Sequence, residues 1–193
     1  MNQENIMDRK TFFKEACKMG LCTCTGLALL FNDSKAEEAE EKKPEEPSPQ
    51  QKQITTMQTR FANLISIMDE KMADEDKEAL LIALGNACAD QSVGYYSAFA
   101  GDPEGFVAKV QESWAESAEY NKEEKTVVVR GKKQDKCGCA MVDNDQTPKS
   151  FCNCSRGWME TAFGVVMGTP VKATIQESVL QGGERCTFLI KAV

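Results

Sequence analysis

Nine cysteines and no histidine define the chemistry open to this chain of 193 residues. Four of the cysteines fall in one stretch, Cys137–Cys154, as two Cys-x-Cys pairs, Cys137/Cys139 and Cys152/Cys154. Four thiolates in two close pairs can converge on one tetrahedral ion, and an all-thiolate set suits zinc or an iron–sulfur cluster. Zinc sites more often use Cys-x2-Cys, so this tighter spacing is less diagnostic. The same residues could pair as disulfides in an oxidising compartment. Beyond residue 36 the cysteines number six (Cys88, Cys137, Cys139, Cys152, Cys154 and Cys186), an even count. Cys88 and Cys186 also read as small buried hydrophobes of a helix and a strand.

A thiol nucleophile is the other chemistry on offer. Asn153-Cys154-Ser155-Arg156-Gly157 enters a helix, where the dipole and Arg156 would favour the Cys154 thiolate. Without histidine, a general base would have to be a carboxylate, Glu177 or Glu160, or the reaction would use metal-bound hydroxide. Glu177 stands between Ile175 and Val179 on the apolar face of a strand, an odd place for a carboxylate unless it meets a pocket, a partner or a neighbouring cation.

Charge excludes one class of partner. Thirty acidic residues against 23 basic give a net charge of −7, with no basic stripe to neutralise phosphates, so nucleic acid is not expected. The absence of histidine also removes Ser-His-Asp and Cys-His catalysis and mixed Cys/His zinc sites.

The elements that must position these residues form one domain behind a leader and a linker. Asp8-Arg9-Lys10-Thr11-Phe12-Phe13-Lys14 resembles a twin-arginine export motif with Lys10 in place of the second arginine. An apolar stretch, Met19 to Phe31, follows, and Ser34-Lys35-Ala36 suits a signal peptidase. Residues 1–36 therefore read as a leader that engages export machinery and gives an extracytoplasmic protein. Retention of the leader would instead leave the protein in the cytoplasm. Residues 37–53, rich in Glu, Lys and Pro, read as an acidic linker.

From Ile54 the pattern is helical. Ile54, Met57, Phe61, Leu64, Ile65, Met68 and Met72 form one stripe. A second helix starts near Asp74. Its run Ala79–Leu84 is apolar nearly all round, which predicts a central helix. Asp102-Pro103 opens another helix, with Phe106, Val110 and Trp114 on one face. Thr126–Arg130 reads as a strand, Cys137–Cys154 as a loop, and Ser155–Met167 as a helix capped by Gly168. Val171–Leu180 and Arg185–Ala192 close the chain as a β-hairpin. The expected class is α+β, with N-terminal helices packed on an antiparallel sheet over residues 54–193.

Residues 151–191 carry Gly157-Trp158, Gly168-Thr169-Pro170-Val171, Glu177 and Gly183-Glu184-Arg185-Cys186-Thr187-Phe188. In these motifs the chain resembles the C-terminal part of the 4-vinyl reductase-type small-molecule-binding domain, and a related group typified by L-2-amino-thiazoline-4-carboxylic acid hydrolase. The part from Gly85 onward is similar to uncharacterised cysteine-rich bacterial proteins. Ser178 departs from the 4-vinyl reductase pattern, which has a second cysteine near there, so a site built on that cysteine and Cys186 is not carried over. The resemblance implies an α+β domain enclosing a ligand pocket. The expected function is an exported small-molecule- or metal-binding module with a site at Cys137, Cys139, Cys152 and Cys154. The alternative is a hydrolase of a small C–N or C–S substrate using Cys154 and Glu177.

Overall fold

Ser48 starts the first helix by accepting a hydrogen bond on its hydroxyl from the Gln51 amide, and Pro49 occupies the first turn, where its missing N–H costs nothing. The computed structural model describes residues 46–193; the leader and residues 37–45 of the linker lie outside the described residues. Helix α1 (Pro49–Lys71) therefore begins a few residues before the apolar stripe does. Among the described residues, no helix is long and apolar enough to cross a membrane.

Helix α2 (Asp74–Gln91) carries Asp74, Glu75 and Asp76 in its first turn, where acids complement the helix dipole. A one-turn helix α3 (Val93–Tyr96) leads to α4 (Pro103–Ser113). The Asp102 carboxylate caps α4 by accepting from Gly105 N at 2.9 Å. Helix α5 (Cys152–Met167) ends at Gly168, whose φ of 65° is the left-handed cap that only glycine adopts cheaply. Its first turn takes in Cys152 and Cys154, which the sequence pattern placed in the preceding loop.

Four antiparallel strands form the sheet in the order β1-β2-β4-β3: β1 (Ala115–Asn121), β2 (Thr126–Gly131), β3 (Val171–Glu177) and β4 (Thr187–Ala192). The two hairpins join through β2 and β4, with Val129 opposite Phe188 and Val127 opposite Ile190. Alternation buries Val127 and Val129 of β2 and Val171 and Ala173 of β3, while Lys172 and Thr174 face solvent. The buried face meets Phe106, Val110, Phe163 and Val166 in one core. The α+β class with a closing hairpin is as expected. Strand β1 was not expected, and the closing strand pair stops at Glu177 before a single 3-10 turn.

A second, smaller core lies at the other end of α5. Ile65, Met68 and Leu81 pack there with Val142 and Phe151 from the cysteine stretch. Helices α2 and α5 approach so closely at Gly85 and Gly157 that neither position has room for a Cβ. Leu80 and Leu84 remain exposed, so α2 buries one face and is not the all-round central helix its composition predicted.

Candidate functional site

The cysteine stretch is an ordered loop, held at several points by polar groups rather than by its thiols. Asn144 Oδ1 accepts from Cys137 N at 2.6 Å, Thr147 Oγ1 from Asp143 N at 3.0 Å, and Cys139 O from Val142 N at 3.0 Å. Short polar side chains that satisfy turn amides in this way are why Asp143-Asn144-Asp145 and Thr147-Pro148 read as loop. Two bonds tie the loop to α1: Gln58 Nε2 donates to Ala140 O at 2.8 Å, and Ser150 Oγ donates to Asp69 Oδ2 at 3.0 Å. Phe151 then inserts edge-on against Phe61, with ring centroids 5.1 Å apart.

Between this loop, the start of α5 and the entry to β4 lies a cavity of about 430 Å³. Gln134, Cys137, Gly138 and Cys139 form one wall; Ser155, Trp158 and Met159 of α5 form a second; Trp114, Cys186 and Phe188 close it. No charged side chain lines it. Backbone pairing fixes its floor: Gly131 N donates to Cys186 O at 2.8 Å, Lys132 N to Trp114 O at 3.2 Å, and Gln134 N to Glu184 O at 3.0 Å. Trp158 also packs edge-on against the buried Tyr96, at 6.3 Å between ring centroids.

Of the expected metal residues, Cys137 and Cys139 face the cavity, joined by Cys186, while Cys152 and Cys154 do not line it. Cys152 Sγ instead lies 2.9 Å from the hydroxyl of the buried Ser178, the position where the resemblance leads one to look for a cysteine. Cys154 packs with Cys137 against the Ile65/Leu81/Phe151 core. All six described cysteines are free thiols. The donor types suit a soft metal, but among the described residues no group of three or more cysteine, aspartate or glutamate side chains stands in an arrangement that could hold a metal ion.

Burial sets the protonation of these thiols. Desolvation is the main cause that pushes Cys137, Cys152 and Cys154 above their ordinary value, with the charge of neighbouring thiols acting in the same direction. Cys186 acts so on Cys137 and Cys152; Cys139, Cys88 and Cys152 act so on Cys154, which is pushed up to about 12. The helix start expected to favour a Cys154 thiolate is outweighed by this burial. Arg156 does not help it, because its guanidinium pairs with Glu78 at 2.7 Å, reaches Asn153 Oδ1 at 3.0 Å and donates to Ala173 O at 3.0 Å.

The two candidate bases are likewise committed to backbone. Glu177 Oε1 accepts from Glu184 N at 2.8 Å across the turn between β3 and β4, and Glu160 Oε1 accepts from Ala173 N at 3.1 Å. Neither lines the cavity. Trp114, Gln134 and Trp158 were absent from the sequence-based site. Trp114 sits at the end of α4 and Gln134 just past β2, whereas Trp158 lies well inside α5, so no one local signal marks all three.

No family model matches the sequence, and no curated protein matches it. Two solved structures are similar in fold. One is trafficking protein particle complex subunit 3 from Naegleria fowleri, covalently bound to palmitic acid, at a TM-score of 0.48 and 10% identity over 73% of this chain and 95% of that one. The other is the phenol-responsive sensory domain of the transcription activator PoxR with phenol, at a TM-score of 0.47 and 11% identity over 70% of this chain and 74% of that one. A likeness of that degree carries no chemistry over to this chain. The 4-vinyl reductase resemblance rests on the motifs that suggested it.

Proposed function

We infer that this chain is a small-molecule-binding module whose ligand enters the cavity between Trp114, Trp158 and the cysteine loop. The observation that carries this is the lining: two indoles, Phe188 and Met159 around Gln134, Ser155 and three thiols, with no charge. A cavity of about 430 Å³ is in the usual range for small ligands, and such sites are mostly apolar with a few placed polar groups. The ligand class that fits is an uncharged molecule with an aromatic or apolar body and a group that hydrogen-bonds Gln134 or Ser155. Hydrolysis through Cys154 and Glu177 has less support, because neither residue lines the cavity.

The test is a titration of intrinsic tryptophan fluorescence with neutral aromatic probes such as indole, in parallel with benzoate as an anionic control. Saturable quenching by neutral probes, lost in Trp158→Leu, is the expected result. Absence of saturable binding across such a panel would sink the reading. Adding zinc to the same protein tests the metal module, since zinc at the thiols would perturb both tryptophans. Export rests on Asp8–Lys14 and Ser34-Lys35-Ala36. Intact mass of the protein taken from its native compartment tests it, because cleavage after Ala36 removes 36 residues.

A further inference from the structure

We propose that Cys137 and Cys186 form a reversible disulfide that ties the cysteine loop to the entry of β4 and so controls access to the cavity. The effect on access rests on the binding function inferred above; the thiol pair does not. The two cysteines are far apart in sequence, and the fold makes both part of one cavity wall.

The backbone brings their segments together. Gly131 N donates to Cys186 O at 2.8 Å and Gln134 N to Glu184 O at 3.0 Å, so the residues that lead into the cysteine loop run along those that lead into β4. The fit is close: a Cβ on Gly131 would come within 3.2 Å of Cys186 O. Gln134 then folds over the loop, its Oε1 3.4 Å from where a Cβ on Gly138 would stand. At this junction Cys137 and Cys186 both reach the cavity, and both are free and half-buried. Burial is the main cause that raises Cys137, and the charge of the Cys186 sulfur adds to it, which it can do only from nearby.

Geometry disfavours the other partners. Cys139 follows Cys137 after a single residue, and so short a span leaves little freedom to meet the torsion and Cβ spacing of a disulfide. Cys152 Sγ is engaged with Ser178 Oγ at 2.9 Å and does not line the cavity. Cys154 packs in the Ile65/Leu81/Phe151 core, and Cys88 is exposed on α2.

No charged side chain lines the cavity, so a small uncharged disulfide, RS–SR, suits it as oxidant. The thiolate of one cysteine attacks RS–SR, forming a mixed disulfide and expelling RS⁻. The thiolate of the other attacks the cysteine sulfur of that mixed disulfide, forming the Cys137–Cys186 bond and expelling the second RS⁻. The two thiol protons end on two RSH; the protein loses two electrons and the oxidant gains them. An S–S bond of about 2.05 Å holds the sulfurs closer than two free thiols can approach, which draws the loop against β4 and narrows the space between them.

Oxidation of the full chain with 2-hydroxyethyl disulfide, followed by trypsin without reductant, tests the pair. Cys137 and Cys139 share one tryptic peptide, so Cys139→Ser is run beside the parent. Both should yield residues 137–149 linked to residues 186–191, and dithiothreitol should release them. Oxidised Cys139→Ser should bind indole about 10-fold more weakly than the reduced protein, because part of the space that encloses the ligand is lost. Adding Cys137→Ala and Cys186→Ala should make the affinity the same with and without oxidant. Near-UV circular dichroism of the two tryptophans checks that each variant is folded. Residues 186–191 linked to residues 150–156, or linked to nothing, would overturn the pair. A correct linkage with unchanged indole affinity would overturn the control of access. Failure of indole to bind the reduced parent would overturn the binding function and with it the control of access, while the peptide linkage still decides the pair.

Discussion

Gly85 of α2 lies directly against the carbonyl of Cys154 in the first turn of α5. A methyl group placed on Gly85 would overlap that oxygen and come within 2.9 Å of Gly157 Cα. The same holds in reverse, where a Cβ on Gly157 would overlap the Ile82 carbonyl. Backbone meets backbone here, so no side chain can move aside. Gly85→Ala and Gly157→Ala should each destabilise the protein by about 1–3 kcal/mol or more, the cost of overpacking a close contact. Gly94→Ala is the control: nothing lies within 4 Å of its added methyl, and loss of backbone freedom in the unfolded chain should make it neutral or stabilising by up to about 1 kcal/mol. Urea unfolding of the three variants checks the contrast.

Burial, rather than the helix dipole, governs the Cys154 thiol. At about 12 against an ordinary 9.0, its thiolate fraction near neutral pH is about 1000-fold below that of a free thiol. Iodoacetamide should therefore modify Cys154 far more slowly than the exposed Cys88, as read by peptide mass spectrometry over time. The ratio should collapse in denaturant. Labelling of Cys154 at a rate matching Cys88 in the native protein would contradict this.

The same shift fixes a direction for stability against pH. A thiol whose folded value is raised stabilises the fold fully below its unfolded value and ceases to as pH rises through the folded one. For Cys154 that window runs from 9.0 to about 12. Cys137 and Cys152 are raised too, mainly by desolvation, and so is the Tyr96 phenol, whose hydroxyl donates to Ala89 O at 3.3 Å. All four act in one direction. The urea midpoint should fall steadily on the alkaline side above pH 9, and Cys154→Ala should flatten part of that fall. A midpoint unchanged up to pH 11 would contradict the assignment.

Much of this fold was legible because its signals are local. The stripe of α1, the Asp102-Pro103 start of α4, the Gly168 stop and the closing strand pair each follow from residues a few positions apart. Strand β1 was not legible. Ala115–Asn121 is an edge strand of small and charged residues with a bulge between Ala115 and Ser117, and its pairing is set by β2. Burial of α2 misled for a related reason: Leu80 and Leu84 are apolar, yet among the described residues nothing covers them. The cysteines were legible as a group but not in their environment. Cys154 is desolvated by burial and packs against a core that includes Ile65 and Leu81, which lie far from it in sequence on other helices. The cavity needed Trp114, Gln134, Trp158 and Cys186 together, a juxtaposition made only by the sheet.

Lys77 joins the end of α1 to the start of α2. Its ammonium lies 2.9 Å from Asp69 Oδ1 and 2.8 Å from Asp74 Oδ1, and the Lys77 residue is only 9% exposed. Hydrogen bonding to Asp74 and then to Asp69 raises the lysine, and the bond from Lys77 lowers Asp74. For Asp74 the sign is the reverse of the thiols: its contribution is present above the ordinary 3.8 and is lost as pH falls through the lower folded value. Asp69 also accepts from Ser150 at the end of the cysteine loop. Lys77→Met should therefore lower stability and reduce its loss at acid pH. Faster amide exchange should appear around Ser150 in the same variant, whereas an unchanged exchange rate there would separate the loop from this ion pair.

Glu177 supports the turn after β3 rather than a reaction. Its carboxylate accepts from Glu184 N at 2.8 Å, and a Cβ on Gly183 would come within 2.8 Å of the same oxygen, so the turn backbone is wrapped against it. A glutamine retains an acceptor of the same length, whereas alanine leaves the Glu184 amide without its partner. Glu177→Gln should fall within about 0.5 kcal/mol of the parent and Glu177→Ala should lose about 1 kcal/mol. Gly183→Ala should resemble the alanine variant, because the added methyl evicts the carboxylate. Since Glu177 is not in the cavity wall, neutral aromatic probes should bind all three variants with parent affinity. Loss of probe binding in Glu177→Gln, with stability retained, would place the carboxylate at the ligand and reopen its role as a base.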